Sequence, residues 1–150
     1  MIRDDIKTAT ITAMKAKDSV RLGTLRLISA ALKNKDIELR TGTAPTDDDV
    51  LVADVLSKMA KQRRESIDMY VTGNRPELAD AERAELGVIE GFMPTQMAAG
   101  EAQAAVRALV AELGATSVKD MGRVMAAVRE RFAGQLDMAQ ASAMVKAALG

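Results

Sequence analysis

Apolar residues recur at steps of three and four in seven successive segments of this 150-residue chain. That spacing is typical of helices that bury one face in a core. Aromatic residues make up only 2% of the chain, which leaves little material for a strand-rich core. We therefore predict an all-α protein. The predicted helices span about 3–16, 19–40, 47–71, 75–91, 98–113, 117–134 and 137–148.

Turn and cap residues separate these segments. The sequence TGTAPT, which ends at Thr46, is typical of a loop. Thr46 is a predicted cap for the third helix, because its side-chain oxygen can accept from the first free amides. Asn74 is predicted to cap the fourth helix, just ahead of Pro76.

Pro94 is the predicted boundary between two helical domains. Residues 1–92 are predicted to form an amino-terminal helical domain of about four helices. Residues 93–150 are predicted to form a small three-helix domain, in which Ser117 and Asp120 have the spacing of a capping box.

The second predicted helix has two apolar rows. One row contains Leu25, Ile28, Leu32 and Leu39, and a neighbouring row contains Val20, Leu27 and Ala31. An apolar sector this wide predicts packing against more than one neighbour. The remaining face carries Arg26, Lys33 and Arg40, each two turns or about 10.5 Å apart. These cations can follow a phosphate backbone or form an ordinary solvated face, since Asp36 and Glu38 lie near them.

The residue inventory excludes several kinds of chemistry. The chain has no cysteine and no histidine, so it lacks a thiol nucleophile and the commonest general base and transition-metal ligand. Its ten glycines form no phosphate-binding loop. Consecutive aspartates, as at 47–49, point about 100° apart on a helix and cannot converge on one ion. We therefore predict no metal, no cofactor and no independent catalysis.

The amino-terminal sequence MIRDDIKTAT contains two acids and no apolar run. Signal peptides and membrane spans both require such a run. We therefore expect no signal peptide, no membrane association and a cytoplasmic location.

The segment KQRRES, residues 61–66, divides when it is placed on the third helix. Lys61 and Glu65 are predicted to pair on the surface at i,i+4, and Arg64 lies at the border. Arg63 projects into the apolar stripe, where an unpaired guanidinium would be strongly desolvated. We expect it to extend to solvent, to pair with a carboxylate of a neighbouring helix, or to face a cleft; pairing is our prediction.

A second cationic candidate lies near residue 120. Lys119 and Arg123 are one turn apart, with Gly122 between them. A glycine at a helix start permits close backbone approach, and the free amides there favour an anion such as phosphate. The alternative is that Gly122 only lets two helices pack closely.

Five segments together resemble the YqeY-like family, also called GatB/YqeY domain proteins. They are KAKDSVRLGTLRLISAALKNKDIE, KQRRESIDMY, MPTQM, SVKDMGRVM and GQLDMAQASAMVKAAL, which cover nearly the whole chain in order. The resemblance implies an all-helical fold with a three-helix carboxy-terminal domain. That domain is similar to the tail of the B subunit of the tRNA-dependent amidotransferase, which helps to hold tRNA. It implies that Lys119, Gly122 and Arg123 face RNA.

These observations give a predicted function with alternatives. The first hypothesis is a non-catalytic tRNA-binding or tRNA-metabolism accessory module, with Lys119, Gly122, Arg123, Arg26 and Lys33 as its nucleic-acid contacts. The alternative is a protein-interaction or accessory subunit whose partner is a synthetase or amidotransferase component. A glutamine-dependent, amidotransferase-like carbon–nitrogen ligase activity follows from the family's name alone.

Overall fold

The computed structural model describes residues 1–43 and 47–150, and these contain helices and no strand. The prediction of an all-α fold is confirmed. The α-helices are α1 (Ile2–Lys15), α2 (Ser19–Glu38), α3 (Asp48–Thr72), α4 (Pro76–Glu90), α5 (Ala99–Glu112), α6 (Met121–Arg131) and α7 (Met138–Leu149), and two short 3-10 turns cover Leu39–Thr41 and Val118–Asp120.

The helices belong to two compact units, Met1–Met93 and Pro94–Gly150. The first unit contains α1 to α4 and the second contains α5 to α7. Each unit has its own apolar core. Whether the units are independent domains with separate roles stays a prediction.

The three caps predicted from the sequence, Thr46, Asn74 and the Ser117–Asp120 capping box, have different outcomes. The predicted cap Thr46 lies outside the described residues; the Asp47 side chain accepts from the Asp49 amide at 2.9 Å and so caps α3. The prediction that Asn74 caps α4 is wrong. Arg75 holds that position, while Asn74 has a φ of 57° and reverses the chain after α3.

In the first unit, α1, α3 and α4 all contact α2. The core contains the fully buried side chains of Ile6, Leu25, Ile28, Val52, Leu56 and Ile89. The predicted packing of α2 against more than one neighbour is confirmed, but the second apolar row is covered only in part: Ala31 packs against the core, whereas Val20 is 66% exposed and Leu27 is 45% exposed. The neighbours of α2 cover the side that carries Ile28, and they leave Val20 and Leu27 exposed.

The core of the second unit lies between the inner faces of its three helices. Its core includes Val106, Leu109, Val124, Val128 and Val145, all fully or almost fully buried. Asp137 caps α7 by accepting from the amides of Ala139 and Gln140. Ser117 and Asp120 form the predicted capping box ahead of α6.

One guanidinium ties together three helices of the first unit. Arg3 on α1 donates from Nε to Asp48 Oδ2 at 2.9 Å and from Nη1 to Asp36 Oδ2 at 3.0 Å. Its hydrogen bonds hold the pKa of the Asp48 carboxyl below the ordinary value of 3.8. A lowered folded-state pKa contributes stability that is present above about pH 4 and is lost as pH falls through the folded pKa.

We expect Asp48→Asn to lower the free energy of unfolding at pH 7 by about 1 kcal/mol, because a half-exposed bidentate pair is lost. The difference from wild type should shrink as pH falls from 7 towards 2, because protonation of the wild-type carboxyl removes the charge that Arg3 binds. Urea denaturation at both pH values checks this. Asp54→Asn, which breaks only the exposed pair with Lys58, is the control and should change little. A difference that persists unchanged at pH 2 would refute the role given to Asp48.

Candidate interaction surface

The exposed side of α2 carries a continuous line of small and apolar residues, which we call the α2 strip. Its members alternate at steps of three and four: Val20, Gly23, Leu27, Ala30, Asn34 and Ile37. Every member is exposed, and Ile37 is 45% exposed, like Leu27. Residues at these steps stack on one side of a helix, so the α2 strip is a mainly apolar line, with one polar member in Asn34, that the first unit leaves exposed.

A line of cations runs beside the α2 strip, and we call it the basic row: Arg26, Lys33 and Arg40. All three are exposed, and in residues 1–43 and 47–150 none pairs with a carboxylate within 4.0 Å. The two acids near the row bind elsewhere. Asp36 pairs with Arg3 at 3.0 Å, and Glu38 lies 3.7 Å from Lys35.

The charge of the basic row is therefore not neutralised by ion pairs within the described chain. Repulsion among cations about 10.5 Å apart is modest in water and is screened by salt. The row nevertheless gives this face of α2 a positive potential, which favours an acidic partner.

The other predicted cations lie in the second unit. Lys119 is exposed in the turn before α6, and Gly122 and Arg123 are exposed in the first turn of α6. The interpretation that Gly122 permits close helix packing is wrong, because a Cβ atom built there would meet nothing within 4 Å.

Arg123 makes contacts within its own unit. Its guanidinium donates to the Leu113 carbonyl at 2.9 Å and to Asp120 Oδ1 at 3.3 Å. The first of these bonds caps the carboxyl end of α5. Asp120 also accepts from the Thr116 amide, and these bonds lower the pKa of its carboxyl. An ionised acid thus lies within the predicted anion site. A nucleic-acid contact at Lys119, Gly122 and Arg123 stays a prediction.

The five predicted site residues fall into two groups, one in each unit. Arg26 and Lys33 lie on one face of α2, and Arg40 follows in the 3-10 turn at its carboxyl end. The sequence prediction missed the role of Leu27 and Ile37 as exposed members of the same face. Leu27 was assigned to an apolar row of α2 and Ile37 to neither row, although their spacing from Val20 and Gly23 by multiples of seven was a usable signal.

Arg63 is paired as expected. Its Nε lies 2.9 Å from Glu85 Oε2 and 3.7 Å from Glu82 Oε2, both on α4. The predicted pair between Lys61 and Glu65 is not formed, whereas Arg64 reaches Glu90 at 3.4 Å. The segment KQRRES therefore belongs to the α3–α4 junction.

Other site types receive no support from the described residues. Over 1–43 and 47–150, no three acidic side chains converge in a way that could hold a metal ion. Within the same ranges, no helix is both long and apolar enough to cross a membrane.

Comparison with known proteins gives one family and a consistent set of relatives. The family profile described as "Yqey-like protein" matches residues 3–149. "Altered inheritance of mitochondria protein 41, mitochondrial" of Eremothecium gossypii is 36% identical over 71% of this chain and 55% of its own length. The proteins of the same name from Meyerozyma guilliermondii and Saccharomyces cerevisiae strain YJM789 are 34% and 31% identical over 68% and 62% of this chain.

This chain spans about half the length of these relatives: 55% of the first, 49% of the second and 46% of the third.

The names of these relatives correct two predictions. The predicted tRNA-binding accessory module is wrong, because the relatives are named for altered inheritance of mitochondria. The same names give no better support to an accessory subunit of a synthetase or amidotransferase, or to an amidotransferase-like activity. The predicted cytoplasmic location is also wrong, since the relatives are named as mitochondrial proteins.

Proposed function

We propose, from the premise that this chain belongs to the YqeY-like family, that it is a helical docking protein in the process for which its mitochondrial relatives are named. The observation that carries this proposal is the α2 strip. Three large apolar side chains, Val20, Leu27 and Ile37, are exposed on one helix at the spacing used between packed helices.

Exposed apolar residues that occur singly need no explanation. A line of them is different, because water contact along several turns of one helix costs free energy that a partner recovers by covering it. Each large side chain that becomes covered contributes on the order of 1 kcal/mol or more. The small residues Gly23 and Ala30 lie between them and let another backbone come close.

The process is taken from the relatives and transferred here as a proposal. We infer that the docking event takes place in mitochondria or in a compartment related to them, and that it contributes to the transmission of mitochondria to daughter cells. The alignments with the relatives cover roughly two thirds of this chain, which supports a shared role for the aligned part.

Rescue in yeast tests this proposal. Saccharomyces cerevisiae cells that lack their own relative would receive this chain behind a mitochondrial leader, and the fraction of daughter cells that inherit functional mitochondria would be counted. We expect wild type to restore inheritance and Leu27→Glu to fail.

The matched control is Met69→Glu, because Met69 is 74% exposed and lies on a different helix, α3. That variant should restore inheritance as well as wild type does. The proposed function would be refuted if imported wild type gave no rescue, or if both variants rescued equally.

A further inference from the structure

We propose that the partner that covers the α2 strip is an acidic amphipathic helix of another protein, packed lengthwise along α2. This inference rests on the proposed docking function and adds the chemistry of the partner. It is carried by the spacing of the α2 strip and by the charge of the basic row beside it.

The spacing of the α2 strip matches a helix–helix seam. Val20, Leu27 and Asn34 are seven residues apart, and Gly23, Ala30 and Ile37 form a second set at the same interval. Two interleaved sets with this interval define the seam positions of paired helices. The seam extends over two and a half repeats.

Small residues along the seam leave space for the partner's side chains. A Cβ atom built at Gly23 would meet nothing within 4 Å, and Gly23 lies between exposed Val20 and exposed Leu27. A leucine or isoleucine of a partner helix can therefore insert at Gly23 and again at Ala30. The α2 strip supplies the large side chains at alternate positions, so the two surfaces interlock.

The edges of the seam determine the charge of the partner. In a helix pair, the residues that flank the seam face the flanking residues of the other helix. One edge of the α2 strip is the basic row. The other edge is mostly covered, because Thr24 is 2% exposed and Ala31 is half-buried, and only its last position, Glu38, is exposed and charged. A partner helix with glutamate or aspartate facing the basic row makes up to three cross-helix ion pairs.

A second copy of this chain fits the strip less well. Antiparallel pairing would place the basic row against itself, and like charges across such an edge oppose association. Parallel pairing would place Arg26 opposite the uncharged Ala31 and Lys33 opposite Glu38. The Glu38 carboxylate already lies 3.7 Å from Lys35, so Lys33 would share it. The charges of α2 therefore favour a different, acidic helix.

An anionic membrane also fits less well. Helices that lie on membranes use a broad face with large apolar or aromatic residues. Half of the six strip positions are Gly23, Ala30 and Asn34, and the opposite side of α2 is buried in the protein core. A narrow seam suits one helix better than a lipid surface.

The test uses two synthetic helical peptides and the full chain. One peptide has leucine and isoleucine at its seam positions and glutamate at its flanking positions; the other has lysine in place of each glutamate. Fluorescence anisotropy would measure their binding at low salt and at about 0.3 M salt. We expect the chain to bind the glutamate peptide and not the lysine peptide, and to bind it several-fold more weakly at the higher salt concentration.

Variants locate the interaction. Leu27→Glu should weaken binding of the glutamate peptide by about 30-fold or more, because it places a charge in the seam. Lys33→Glu should weaken it by about tenfold and improve binding of the lysine peptide, as a reversed ion pair requires. Met69→Glu should change either affinity less than about twofold. Circular dichroism confirms that each variant is folded.

Each other outcome overturns the inference in an identifiable way. Failure to bind the glutamate peptide, or equal binding of both peptides, removes the acidic helix as the partner. If sedimentation shows that the wild-type chain dimerises and that Leu27→Glu does not, the α2 strip binds a second copy of this chain. Flotation with vesicles of phosphatidylcholine and phosphatidylglycerol that depends on Leu27 assigns it to an anionic membrane.

The peptide experiment and the yeast experiment test different claims, so a negative result in one does not decide the other. If yeast rescue depends on Leu27 but no peptide binds, the docking function stands and the acidic helix is wrong. If the glutamate peptide binds through Leu27 but wild type gives no rescue, the surface stands and the assigned process is wrong.

Discussion

Replacement of Ile28 by alanine should lower the free energy of unfolding by about 3 kcal/mol, whereas Leu27→Ala should change it by less than about 0.5 kcal/mol. The two residues are neighbours in α2, but Ile28 is fully buried and Leu27 is 45% exposed. Loss of the Ile28 side chain leaves a cavity among packed neighbours. Loss of Leu27 removes a side chain that the isolated protein leaves nearly half exposed to water.

Urea denaturation of both variants with the wild type measures this contrast. Equal, large losses for Leu27→Ala and Ile28→Ala would mean that both rows of α2 are packed, and the α2 strip would not be a free surface. The predicted contrast has a further use. If a Leu27 variant keeps full stability but no longer binds its partner, the loss of binding cannot be attributed to unfolding.

The second large effect is expected at the junction of α3 and α4. Arg63→Met should lower the free energy of unfolding by about 2 kcal/mol, because two half-buried carboxylates lose their shared cation. Arg63 is 17% exposed, and its partners Glu82 and Glu85 are 23% and 30% exposed. The Glu82 Oε2 atom is buried and accepts no hydrogen bond from the residues described, so it depends on the nearby charge.

Arg64→Met is the matched control, since the Arg64–Glu90 pair is about half exposed and should contribute less than about 0.5 kcal/mol. Adding Glu82→Gln to Arg63→Met should recover part of the lost stability, because it removes one uncompensated charge. Both single variants and the double variant can be compared by thermal and urea denaturation. Equal effects of Arg63→Met and Arg64→Met would contradict the structural role of Arg63.

Helix positions and the pairing of Arg63 were predictable from the sequence because their causes are local or periodic. The capping box of Ser117 and Asp120 is set by four adjacent residues. Arg63 lies in an apolar stripe, and desolvation of its charge requires a carboxylate nearby whichever helix supplies it.

The exposed row of α2 was not predictable in this way. Periodicity shows that α2 has a wide apolar sector, but it does not show how many neighbours cover that sector or at what angle. In the fold, α1, α3 and α4 cover the row of Ile28 and leave Val20, Leu27 and Ile37 exposed. Likewise, the bond from Arg123 to the Leu113 carbonyl depends on the approach of α6 to α5. Such long-range geometry decides which charged residues remain free.

The most direct test of docking on α2 is an NMR titration of the full chain with the glutamate peptide. Amide shifts in ¹H–¹⁵N spectra should change along the exposed side of α2, from Val20 through Leu27 to Ile37, and the second unit should be largely unaffected. The same titration of Leu27→Glu should show almost no change. Shifts centred on α6 or α7, or no shifts in the wild type, would contradict the assignment of α2 as the docking surface.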